Sequence, residues 1–178
     1  QGFYIPRYVA DQYPDLKTVK DLANYAHLFP DPEDSSKGII YGGITGWAIT
    51  EVMEKKVSAY GLDQYYNYFI SGSDAVLNTA MTSAWDNQAP IVAYYWEPTW
   101  LLGKYDFVLL EDDPYDPETY QDGIGACPAV TVTIAVSNDF AASNPEYCEF
   151  LSNFSMPSAL ISEALAYMQD NNATYVDA

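Results

Sequence analysis

Val19, Leu22, Ala26 and Phe29 recur three or four residues apart behind Thr18, and Asp21 stands three positions after that threonine, which predicts a capped helix over 19–28. Pro30-Asp31-Pro32 opens an acid-rich surface loop that leads into a strand at Gly38-Ile39-Ile40-Tyr41. Gly42, Gly43 and Gly46 mark a turn, after which Trp47, Ile49, Val52 and Met53 share one flank of a helix over 45–55. Aromatic and β-branched residues over 65–70 read as a strand ending at Ser71-Gly72-Ser73, a turn and an N-cap. Leu77, Ala80, Met81 and Ala84 then give the next helix an apolar face. The nearly continuous apolar run 91–95 behind Pro90 predicts a central parallel strand buried on both sides, and 107–110 predicts another strand. Strands alternating with helices make 1–110 an α/β lobe, with ligand loops expected at the carboxyl ends of its strands.

Beyond that lobe the pattern changes. Glu111, Asp112, Asp113, Asp116, Glu118 and Asp122 crowd a stretch rich in Pro, Tyr and Gly, which reads as an acidic connector over 111–127. These carboxylates lack the regular spacing of a helix-loop-helix calcium site, so a solvated connector is the simpler reading. The remainder, 128–178, is expected to hold a strand at 129–136 and terminal helices. One helix is predicted to start at Ser143-Asn144-Pro145-Glu146, and Leu160, Ile161, Ala164, Leu165 and Met168 line the apolar face of the last.

The chain has 178 residues, enough for a sizeable core. Its formal net charge of -18 repels phosphate backbones and favours cationic ligands, so a nucleic-acid partner is not expected. No run of about 20 apolar residues is available to cross a membrane. Cys127 and Cys148 allow either one disulfide or two inert thiols, and they have no metal-ligand spacing with the lone His27. No metal or cofactor is expected. Catalysis fares poorly: a nucleophile elbow, a phosphate loop and an activated Cys-His pair are all missing, which leaves a carboxylate-based hydrolase as the enzymatic alternative.

Trp47 and Trp96 each follow a predicted strand, so both are expected at the same sheet edge. A quaternary ammonium offers no hydrogen-bond donor and is held by aromatic faces whose quadrupoles attract it, so two converging indoles suit that ligand class. Tyr41, Tyr94, Tyr95 and Trp100 lie near in sequence, although strand alternation sends Tyr94 and Tyr95 to opposite faces. If a helix starts beside Gly46-Trp47-Ala48, its free N–H groups favour a ligand carboxylate. The alternatives are that both indoles are packing residues, or that the chain is a protein-interaction domain without a small ligand.

Gly2-Phe3-Tyr4-Ile5-Pro6-Arg7-Tyr8, Asp15-Leu16-Lys17-Thr18-Val19-Lys20-Asp21-Leu22, the Gly46-Trp47 turn and Tyr94-Tyr95-Trp96-Glu97-Pro98-Thr99-Trp100 together resemble the glycine betaine/choline/proline-type substrate-binding proteins of ABC transporters. The resemblance covers nearly the whole chain. It implies a type II periplasmic-binding-protein fold, an extracytoplasmic location in the periplasm or tethered to the outer face of the cell membrane, and delivery of solute to a permease driven by its ATPase. It also implies that Trp47 and Trp96 cage the trimethylammonium of glycine betaine, choline or a related compound, and that Gly46 and Ala48 supply the backbone beside the first indole. Tyr41 and Tyr95 are added as further walls. Members of the family are longer, which implies an incomplete chain holding one lobe and part of the other. The intact protein is expected to be a monomer.

Overall fold

The computed structural model describes residues 1–174 and Val176. Its frame is a five-stranded sheet in the order β3-β2-β4-β1-β5. The strands are β1 (Gly2–Pro6), β2 (Gly38–Ile44), β3 (Tyr66–Ser71), β4 (Ala93–Tyr95) and β5 (Phe107–Leu109). β2 runs parallel to β3 and β4, whereas β1 is antiparallel to β4 and β5. The 91–95 run is therefore central and buried, as expected, in a sheet that is mixed. Periodicity misses β1 because Phe3 and Ile5 enter the core on one face while Tyr4 enters the core on the other, so both faces are apolar and no alternation shows.

Two helices sandwich this sheet. α2 (Ala48–Ala59) contributes Met53 and Val57 to the first core, and α3 (Asp74–Asp86) contributes Leu77 and Met81 to the second. α3 starts at Ser73, whose hydroxyl accepts from the Val76 N–H at 3.3 Å. Before them comes α1 (Arg7–Gln12). Between β4 and β5 in the chain comes α4 (Trp100–Lys104), capped by Thr99, which adds Leu101 to the second core.

The segment 19–28 departs from expectation. It forms two 3-10 stretches, Val19–Asn24 and Ala26–Leu28, although the Thr18/Asp21 capping box is present. The Leu22 carbonyl, which an α-helix would offer to the residue four positions on, accepts instead from the Tyr25 N–H at 2.9 Å and the buried Tyr66 hydroxyl at 2.8 Å. A tertiary partner thus outcompetes the α-helical one.

The acidic stretch is not uniformly solvated. Lys56, 1% exposed, donates to Asp112 Oδ2 at 2.5 Å and to the Gly125 carbonyl at 2.5 Å. The Tyr60 hydroxyl donates to Asp112 Oδ1 at 2.5 Å and accepts from the Gly125 N–H. Gly123, with φ +84°, brings the connector so close to α2 that an added Cβ would lie 2.3 Å from the Lys56 backbone nitrogen.

The predicted strand at 129–136 does not form. Those residues join no ladder among the described residues, and Val130 and Val132 are 72% and 75% exposed. A β-branched run has the composition of a strand, but a strand needs a neighbour. After it come α5 (Asn138–Ser143), α6 (Pro145–Asn153) and α7 (Ser158–Asn171). Ser143 closes α5 rather than capping α6, and Asn144 takes the cap position. The inward face of α7 is Ser162 and Ala166, not the row containing Leu160, which is half exposed. Gly103 explains this: a Cβ there would meet the Ser162 carbonyl oxygen at 2.0 Å, so α7 approaches α4 through small residues, while Ile161, Ala164, Leu165 and Met168 of the expected row are half-buried beside that contact. Cys127 and Cys148 are free thiols, both half-buried.

Candidate functional site

Because β2 and β4 are parallel neighbours, their carboxyl ends open on one edge of the sheet. At the end of β2, Gly46 takes φ +89°, a left-handed conformation that favours glycine, and turns the chain into α2. Trp47 holds the N-cap position, and its N–H donates to the Ile44 carbonyl at 3.2 Å. The Thr50 hydroxyl donates to the same carbonyl at 2.8 Å, and Gly43 makes room for it, since a Cβ at Gly43 would sit 2.5 Å from that oxygen. Ala48 and Ile49 occupy the first helical turn, where N–H groups have no carbonyl four residues back to receive them.

Trp96 follows β4 directly. Its ring centroid lies 5.0 Å from that of Trp47 at an interplanar angle of 74°. The two indoles therefore form a corner, edge to face, rather than parallel jaws. Trp47 is 37% exposed and Trp96 half-buried, so the corner is open to solvent on one side.

Tyr95 stacks beneath Trp96 at 4.6 Å and 29°, and Tyr94 flanks it at 6.1 Å and 27°. Both tyrosines are 1% exposed. The Tyr95 hydroxyl donates to Asn78 Oδ1 at 2.6 Å, and the Tyr94 hydroxyl to Gln1 Oε1 at 2.9 Å. Burial pushes both phenols well above their ordinary range, which keeps them neutral. Alternation holds as expected, with Tyr94 in the first core and Tyr95 in the second.

Tyr41 is not brought to the corner. It stands opposite Ala93 in mid-sheet, meets Phe69 edge-on at 5.6 Å and lines a separate depression with Phe29, Ile39 and Ala80. Trp100 packs against Tyr105, and Trp85 against Tyr8, Tyr105 and Phe107. Sequence reasoning missed Asn78, whose only signal was its place on α3, one residue beyond the apolar Leu77. It also missed a cavity of about 660 Å³ beginning at Glu97 and Pro98, directly after Trp96, and walled by the 130–136 run, α6 and α7. Among the described residues, no three His, Cys, Asp or Glu side chains gather as a metal site.

Residues 1–178 match the family model described as the substrate-binding domain of ABC-type glycine betaine transport systems, OpuAC. The chain belongs to this family. A substrate-binding domain holds a solute rather than transforming it, so the hydrolase alternative falls away. A comparison with curated protein sequences returned no match.

Several solved structures share the fold. The glycine betaine/L-proline-binding protein ProX of an ABC transporter from Borrelia burgdorferi aligns at 20% identity and TM-score 0.56, covering 96% of this chain and 56% of that one. Lactococcal OpuAC, closed on glycine betaine, aligns at 23% identity and TM-score 0.54, covering 97% and 58%. An ABC-transporter choline-binding protein in complex with choline aligns at 18% identity and TM-score 0.55, covering 97% and 55%. The OpuAC-family chain thus has a mixed α/β periplasmic-binding-protein fold and spans little more than half the length of these solved chains.

Proposed function

We propose that this domain captures a quaternary ammonium solute, such as glycine betaine or choline, at the Trp47–Trp96 corner. The observation that carries the reading is the ring contact itself: two indoles 49 positions apart in sequence meet at 5.0 Å on the sheet edge where ligands of open α/β folds bind. A cation seated in that corner lies over the face of one indole and against the other, within the range where the quadrupole attracts it. The first-turn N–H groups of Ala48 and Ile49, beside Gly46, stand where a carboxylate on the same solute gains from the helix N-terminus. Neither residue carries a side-chain donor, so selection for a carboxylate rests on the backbone. Tyr95 supports the corner from beneath, and Tyr41 takes no part.

The corner is one wall of a cleft. The 129–136 run, which joins no ladder among the described residues, walls a cavity that begins at Glu97 and Pro98 beside the corner, in keeping with further protein that covers them and closes over the solute. In that setting the protein works outside the cytoplasm and passes its solute to an ABC permease energised by its ATPase. No helix among the described residues is long and apolar enough to cross a membrane. A ligand-free interaction domain would have no need to bring the two indoles together.

Trp96→Ala tests the assignment. It removes the ring that both Trp47 and Tyr95 touch, and loss of about 1.4 kcal/mol or more of cation attraction corresponds to at least a tenfold weaker dissociation constant. Calorimetry with glycine betaine on the full-length protein reads this directly. Unchanged affinity would sink the site.

A further inference from the structure

The indole of Trp96 is fixed from below by Tyr95, and Tyr95 is fixed by a helix on the far side of the sheet edge. The Tyr95 hydroxyl donates to Asn78 Oδ1 at 2.6 Å, while Asn78 Nδ2 donates to Asp74 Oδ2 at 2.7 Å. Since an amide oxygen only accepts and an amide nitrogen only donates, the Asp74 carboxylate determines which end of Asn78 meets the phenol. Asp74 and Asn78 are one turn apart on α3, so the pair is built into the helix. Tyr95 is 1% exposed, and besides Asn78 its hydroxyl has the Thr99 side chain as a hydrogen-bonding neighbour. Its ring, 4.6 Å from Trp96 and 29° from parallel, is the surface on which the indole lies.

We propose that Asn78 is a positioning residue for the solute site: through the Tyr95 hydroxyl it holds the phenol ring under Trp96 and so sets the angle at which the two indoles meet. This rests on the reading of that corner as the quaternary-ammonium site. Asn78 itself touches no solute. On the other side of Trp96, the Thr99 N–H donates to Ser162 Oγ at 3.2 Å, which ties the segment after the indole to α7. The wall is thereby held on both flanks, by the Asn78 side chain of α3 at the Tyr95 hydroxyl and by the Ser162 side chain of α7 at the Thr99 backbone.

The test uses Asn78→Leu, Tyr95→Phe and the double variant in the full-length protein. Each single change removes the Asn78–Tyr95 hydrogen bond, and Tyr95→Phe keeps the ring while also ending the hydroxyl's contact with the Thr99 side chain. The expected result is about a three- to tenfold loss of glycine betaine affinity for each, a double variant no weaker than Tyr95→Phe, and one shared change in the tryptophan bands of the near-UV circular dichroism of the ligand-free protein. A lowered melting temperature with unchanged affinity and unchanged aromatic signal would reduce Asn78 to a stability role and overturn the proposal; so would losses that multiply in the double variant. If Asn78→Leu fails to fold, Tyr95→Phe decides by the same two readouts. If the unaltered protein binds no quaternary ammonium, the solute reading fails separately. The dichroism then decides alone: a common change in both variants upholds positioning of the indoles, and none overturns it.

Discussion

Removing the amine of Lys56 should destabilise the fold more than any other single change to a charged residue. Lys56→Met keeps a buried aliphatic stem on α2 but deletes bonds to Asp112 and Gly125 and the contact 5.2 Å above the Tyr60 ring. Breaking a buried pair from one side costs about 3–5 kcal/mol, because the remaining charge stays buried. Here Asp112 keeps two donors, the Tyr60 hydroxyl and the Asp113 N–H, which places the cost near the lower end, about 3 kcal/mol. With a urea slope of about 2 kcal/mol/M, the unfolding midpoint should fall by roughly 1.5 M. Adding Asp112→Asn removes the stranded charge, so the double variant should regain at least about 1 kcal/mol over Lys56→Met. Equilibrium urea unfolding followed by tryptophan fluorescence measures both. A midpoint shift below about 0.5 M, or strictly additive effects, would refute the view that this pair is what pins the connector to α2.

Gly123→Ala combines a φ of +84° with a Cβ 2.3 Å from the Lys56 backbone nitrogen, and a thermal melt should register about 2–4 kcal/mol of destabilisation. Gly103→Ala forces α7 off α4, so limited proteolysis should cut near 158–171 faster than in the unaltered protein, by about fivefold or more, as expected for about 1–3 kcal/mol of overpacking. Burial pushes the Asp21 carboxyl up, but the Thr18 N–H and hydroxyl and the Lys17 N–H more than offset this and hold it below its ordinary range. A carboxyl depressed in the folded state stabilises the protein above its unfolded value and loses that contribution as pH falls through the lowered one. Asp21→Asn should therefore flatten the acid limb of the melting-temperature profile, and an unchanged limb would show that the capping box does not carry it. Titration of the denatured protein with a thiol reagent should count two thiols, and in the native protein burial, which raises the Cys127 thiol, should make that residue react slowly.

The sheet edge was readable because its signals are local: glycines that turn the chain, a helix start, and an indole soon after β2 and directly after β4. Those same features brought Trp47 and Trp96 together without any long-range information. What escaped depends on partners distant in sequence. β1 lacks alternation because both of its faces are buried. The 3-10 geometry at 19–24 depends on Tyr66, 44 positions from Leu22. Asp112 looks like one more surface acid until Lys56 is found against it, 56 positions away. The 129–136 run has strand composition but no neighbour to pair with among the described residues, and Tyr41 shares the aromatic character of the site while its strand position aims it at Phe69. Residue type set the chemistry at each position, but sheet order decided which positions share it.

If the indole corner holds a solute by its positive charge, removing that charge while keeping the solute's shape should weaken binding. The direct measurement is a calorimetric titration of the full-length protein with glycine betaine and, alongside, with 3,3-dimethylbutanoate, which keeps the shape and the carboxylate but replaces the trimethylammonium with a neutral tert-butyl group. The account predicts that glycine betaine binds and that the neutral analogue binds at least about tenfold more weakly. Equal affinity for the two, or no binding of glycine betaine, choline, carnitine or proline, would contradict it.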